Sequence, residues 1–102
     1  QKKYQANIEL LKKAIKLSND SQLVWNLGRA YSSLEDDRSA LECYRSVQKD
    51  FEHEADFWRE LALLARRSGD LPLARKSVAN YLKIEPNDLT MLDLQNELDE
   101  TF

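Results

Sequence analysis

Between residues 55 and 88 the apolar side chains fall into two rows. Trp58, Leu61, Ala62 and Ala65 recur at i, i+3, i+4 and i+7, the spacing of one face of an α-helix. Ala74, Val78, Tyr81 and Leu82 make a second row of the same kind. Gly69-Asp70 separates the two. A glycine just past a helix end can take the left-handed conformation that satisfies orphan carbonyls. Asp70 is then a candidate N-cap, and Pro72 fits the first turn of the next helix, where a missing N–H costs nothing. Glu85, ahead of Pro86, is pushed out of the helical region. The pattern predicts a helix from about Ala55 to Ser68, a tight turn, and a second helix that ends before Pro86.

The same two-row pattern occupies residues 21–54. Val24, Leu27, Gly28, Tyr31 and Leu34 make its first row, with Ser21 as a candidate N-cap. Ala40, Tyr44, Val47 and Phe51 make its second. Glu35-Asp36-Asp37 makes the turn without a glycine, and the boundary with the next unit falls at His53-Glu54. Gly28/Ala62, Tyr31/Ala65, Ala40/Ala74 and Tyr44/Val78 are each 34 residues apart. Residues 1–18 predict one helix with Leu10, Leu11, Ala14 and Leu17 on its apolar face and Ile8 and Ile15 beside it. In residues 89–102, Met91, Leu94, Leu98 and Phe102 share a face and polar side chains cover the rest.

Leu27-Gly28-x2-Tyr31, Trp58-x2-Leu61-Ala62-x2-Ala65, Ala74-x3-Val78 and Pro86 together resemble the tetratricopeptide repeat (TPR). That family's pattern is W-x2-L-G-x2-Y, then A-x3-F, then P, in about 34 residues. Ala62, Ala65 and Val78 depart from it, Tyr81 stands where the family has a small residue, and Trp25 is displaced by one from the family's tryptophan, whose place Val24 holds. The resemblance implies an all-α, right-handed solenoid of about six helices forming one domain over 1–102. Residues 1–20 would be a half repeat, 21–54 and 55–88 two full repeats, and 89–102 a capping helix whose polar outer face keeps the array soluble.

In the family the first helices of successive repeats line a concave groove. The resemblance therefore places Gln22/Asp56/Thr90, Trp25/Arg59/Asp93, Arg29/Leu63/Glu97 and Ser32/Arg66/Glu100 in columns along it. Tryptophan and arginine are enriched among binding hot spots. Trp25, Arg29, Arg59, Leu63 and Arg66 are the candidate partner-binding residues. Trp25 stands either in the groove or, after a one-residue slip, in the core. Arg59 is placed to pair with Asp93 and Arg66 with Glu100. Some members grip a partner's terminal carboxylate with lysines and asparagines, but those places hold Trp25, Arg29 and Glu60 here.

Composition narrows the function. Apolar residues at 42% and charged residues at 32% fit a globular chain, and two glycines and two prolines are too few for a β-sandwich or barrel. A net charge of −3 argues against nucleic acid, which wants a basic face. No apolar run reaches the roughly 20 residues of a membrane span. The chain begins at Gln1, and a fragment of a longer repeat protein is expected. No phosphate loop, Cys-x-x-Cys or zinc-protease motif occurs. Cys43 is a lone thiol without a base near it in sequence, and His53 lies among acids at a turn. No catalytic residue, metal or cofactor is expected. The expectation is a non-catalytic protein-protein interaction module that binds a peptide or helix of a partner protein, as a scaffold or adaptor. The alternative is a structural element that stacks head-to-tail on itself or on flanking repeats. Five lysines against one glutamate in residues 1–16, and six acids with no base in residues 85–102, favour weak head-to-tail self-association.

Overall fold

The computed structural model describes residues 2–100. Its helices are α1 (Lys2–Ser18), α2 (Ser21–Ser33), α3 (Asp37–Ser46), α4 (Ala55–Ser68), α5 (Leu71–Ile84) and α6 (Leu89–Glu100), with a short 3₁₀ turn over Gln48–Phe51. Among the described residues there is no β-strand. The chain divides into two compact units, residues 1–50 and 51–102.

In the first unit α2 pairs with α3, and α1 packs on α2. Ile8 is buried against Leu27 and Ala30, with Leu11, Ile15, Tyr31, Leu34 and Cys43 packed around them. The face of α1 that turns inward is thus Ile8, Leu11 and Ile15. It is not the predicted row, because Leu10 and Leu17 are 65% and 90% exposed. A helix with two apolar rows buries only the one that meets its neighbours, and the main neighbour of α1 is α2. Asp20, not Ser21, caps α2, accepting from the Gln22 N–H at 2.9 Å. The Ser21 hydroxyl instead donates to Asp50. Gly28 brings α2 close to α3, since a Cβ there would lie 2.9 Å from the Tyr44 ring.

The turn after α2 shows how a repeat closes without glycine. Glu35 takes a left-handed φ of 61°, its N–H reaches Ser32 O at 3.0 Å, and Asp36 N–H reaches Tyr31 O at 3.0 Å. These two bonds satisfy the last carbonyls of the helix. Asp36 then caps α3, accepting from Ser39 N–H. Helix α3 stops at Ser46 instead of running to Phe51, and the 3₁₀ turn follows. Ala40, Tyr44 and Val47 are nevertheless buried.

In the second unit α4 pairs with α5, and α6 packs on α5. Gly69 (φ 87°) and Asp70 repeat the geometry of Glu35 and Asp36, each 34 residues on: Gly69 N–H meets Arg66 O at 3.1 Å and Asp70 N–H meets Ala65 O at 2.9 Å. Asp70 caps α5 through Leu73 N–H, and Pro72 lies in its first turn. The predicted row Trp58, Leu61, Ala62 and Ala65 is buried, and Phe57 and Leu64 widen it. Fully burying a large apolar side chain contributes about 1.5–3 kcal/mol, so α4 is the best anchored helix. The Trp58 indole donates to Glu52 O at 2.8 Å. Ala74, Ser77, Val78 and Tyr81 turn inward from α5, and Met91, Leu94 and Leu98 from α6. Phe102 lies outside the described residues.

Candidate functional site

Three of the five candidate residues surround one cavity in the second unit. Arg59, Leu63 and Arg66 lie on the exposed side of α4, at i, i+4 and i+7. With Asp88, Thr90, Met91, Asp93, Leu94 and Glu97 they line a hollow of about 390 Å³. That is within the roughly 300–1,000 Å³ of ligand pockets. Leu63 is 47% exposed and stands outside the buried row of α4. Met91 and Leu94, buried from the other side, give the hollow its apolar floor.

The arginines do not meet their expected partners. Arg59 pairs with Asp56 on its own helix, at 3.1 Å, not with Asp93. Arg66 pairs with Glu97 at 2.8 Å, one helical turn before Glu100. Spacing within a helix does not say how far along its neighbour a side chain reaches, and here Arg66 meets the residue one turn earlier. Asp88 is tied down twice. One oxygen accepts from the Tyr81 hydroxyl at 2.5 Å and the other from Met91 N–H at 3.2 Å. The Tyr81 hydrogen bond, followed by that backbone N–H, holds the Asp88 carboxyl below its ordinary range, and the same bond holds Tyr81 above its own. Asp93 is left exposed on the rim, with no ion pair among the described residues. The surroundings are acidic, since residues 51–102 carry 11 acidic and 6 basic side chains.

Trp25 and Arg29 belong to the first unit and meet each other. The Arg29 guanidinium lies 4.2 Å from the centre of the Trp25 ring. Trp25 is buried, 5% exposed, while Arg29 remains exposed.

Residues 22–88 match the family model for YpiA-like, C-terminal tetratricopeptide repeats. The chain belongs to this TPR family. The first TPR of Spaghetti (RPAP3), solved bound to the HSP90 peptide SRMEEVD, is similar in structure. Its TM-score is 0.83 at 18% sequence identity, over 99% of this chain and 81% of that one. A comparison with curated proteins returns no match.

Within the TPR frame, Tyr81 stands where a small residue is usual, and its hydroxyl holds the loop residue Asp88. Sequence reading missed Asp88, Met91 and Leu94 as lining residues of the site. The signal for Asp88 was available, as an acid three residues before a helical amide. Met91 and Leu94 read only as core. Cys43 is half-buried, and its thiol is pushed up to about 11, first by burial and then by Glu42 and Asp36. It is a poor thiolate at neutral pH. Among the described residues no group of His, Cys, Asp and Glu is arranged to hold a metal. No helix among them is long and apolar enough to cross a membrane.

Proposed function

We propose that this TPR chain is a non-catalytic protein-interaction module that takes a peptide or helix of a partner protein against α4 and α6. One observation carries the reading. Leu63 stands exposed between Arg59 and Arg66, over a hollow with an apolar floor. An apolar anchor ringed by ion pairs is the usual composition of a binding patch. The first unit, taken by itself, offers Arg29, steadied over the Trp25 ring, as its own candidate contact residue, with Trp25 acting through it. The similar TPR that holds an HSP90 peptide supports the reading, as far as a shared fold can. The acidic character of that peptide does not carry over, because both arginines at this cavity are already paired with acids.

A second reading makes the chain an assembly element that stacks head to tail. The exposed Leu10 and Leu17 of α1 favour it.

The test of the first reading is selection of peptides from a random displayed library against the chain. Leu63→Asp should weaken the selected peptides by about 30-fold or more, as loss of a hot spot of roughly 2 kcal/mol does. Its melting temperature should stay near the parent's, because Leu63 is half exposed already. Selected peptides that bind parent and variant equally would remove this site.

A further inference from the structure

The outer face of α1 is itself a chemical match for the cavity on α4 and α6. Lys3, Ala6, Leu10, Lys13 and Leu17 follow one another at alternating steps of three and four, which places them in one row along the helix. All five are exposed. The row faces away from Ile8, Leu11 and Ile15, which occupy the inner side of α1. Leu17, at 90% exposed, is the least covered of the large apolar side chains described.

Set 67 residues on, against α5, the row falls on Asp70, Leu73, Ser77, Asn80 and Ile84, of which Ser77 is buried and Ile84 exposed. Ala14-Ile15-x-Leu17 corresponds to Tyr81-Leu82-x-Ile84, which sets Leu10 against Ser77 and Asn7 against Ala74. Ser77 and Ala74 are fully buried, in a helix that has α4 on one side and α6 on the other. Leu10 and Asn7 are exposed. Leu10 is 65% and Leu17 90% exposed, two leucines in one row of a helix that fully buries only Ile8 among its described residues.

We propose that this row is seated in the α4–α6 cavity of a second copy of the chain, with Leu17 as the apolar anchor and Lys13 beside Asp93. The inference rests on the reading of that cavity as a binding site. Charge selects this occupant. Helix α1 carries lysines at 2, 3, 12, 13 and 16 against the single Glu9, while residues 51–102 hold 11 acids and 6 bases. Arg59 and Arg66 are neutralised by Asp56 and Glu97, so the lining carboxylates left without an ion pair are Asp93 and Asp88, and Asp88 is already hydrogen-bonded to Tyr81 and the Met91 N–H. A ligand with leucines flanked by lysines fits an apolar floor with an acidic rim. One face meeting a different face is a heterologous contact, which propagates and does not have to close into a dimer. A contact built on one helix row is small, so the association is weak and needs concentrated protein.

Sedimentation velocity of the full chain over a wide concentration range, at low and high salt, tests this. The expected result is a sedimentation coefficient that rises with concentration and does so less steeply in high salt, where the Debye length shrinks to about 3 Å. Leu17→Asp, Lys13→Glu and Asp93→Lys should each weaken association by about tenfold or more. All three positions are exposed, so the variants should fold. The double variant Lys13→Glu with Asp93→Lys should recover it, which a merely sticky leucine face would not do. A monomer at every concentration in low salt overturns the proposal, and so does a double variant no better than the singles. Leu63→Asp separates this proposal from the reading beneath it. If it abolishes binding of the selected peptides but leaves self-association intact, the cavity reading stands and the second-copy occupant falls. If it affects neither, both fall.

Discussion

At Gly28 the absence of one carbon decides how closely two helices approach. A Cβ there would sit 2.9 Å from two atoms of the Tyr44 ring and 3.1 Å from Cys43 Cβ. The matched pair one repeat later is Ala62 and Val78, both fully buried. One methyl more on the first helix goes with a smaller side chain on the second, which keeps total volume in bounds. Gly28→Ala should therefore lower stability by about 1–3 kcal/mol through overpacking. Replacing Tyr44 by leucine in that background should return part of the loss. Thermal or urea unfolding of the two variants checks this, and a Gly28→Ala chain as stable as the parent would show that the ring simply moves aside. Gly28 was legible because its spacing to Ala62 matches three other pairs. Trp25 was not, because a slip of one residue on a helix turns a side chain by about 100°, and neighbouring side chains decide which orientation is covered.

At the level of elements, turn chemistry did most to set the boundaries. Gly69 and Asp70 end one helix and start the next as their residue types predict. Glu35 and Asp36 do the same without the glycine, at the cost of a left-handed glutamate. Helix α6 begins at a different device. Asp88 joins its first turn to the Tyr81 hydroxyl of α5. Because these contacts favour the ionised carboxylate, its folded pKa lies below the unfolded value of about 3.9. A depressed folded value means stability that is present above the unfolded pKa and lost as pH falls through the folded one. Asp88→Ala should then melt below the parent at pH 7, and the gap should close below about pH 4. Melting curves from pH 2.5 to 7 measure it. A gap of constant size down to the lowest pH would mean that the carboxylate charge is not what α6 loses.

Across the whole molecule, burial and charge are unevenly shared. Helix α4 buries Phe57, Trp58, Leu61, Ala62, Leu64 and Ala65, whereas α1 fully buries only Ile8 among its described residues. Residues 1–50 carry 9 basic and 7 acidic side chains, and the rest of the chain the reverse bias. Local opening costs least where few apolar contacts must be broken. In dilute solution the amides of α1 should exchange with solvent at least about tenfold faster than those of α4, by hydrogen exchange followed with NMR or mass spectrometry. Equal protection of α1 and α4 would contradict the uneven burial.

The sequence alone determined the helices of residues 55–88, their turn and the 34-residue period, since these depend on local signals: apolar spacing, a glycine, an N-cap and a proline. Spacing also put Arg59, Leu63 and Arg66 on one side of α4, while the family resemblance, not spacing, suggested that side as the groove. Tertiary structure decided which of two apolar rows of α1 is covered, that Trp25 is buried under Arg29, and that Arg66 meets Glu97 and not Glu100. Each of those outcomes depends on where a neighbouring helix lies, and no spacing within one helix carries that information.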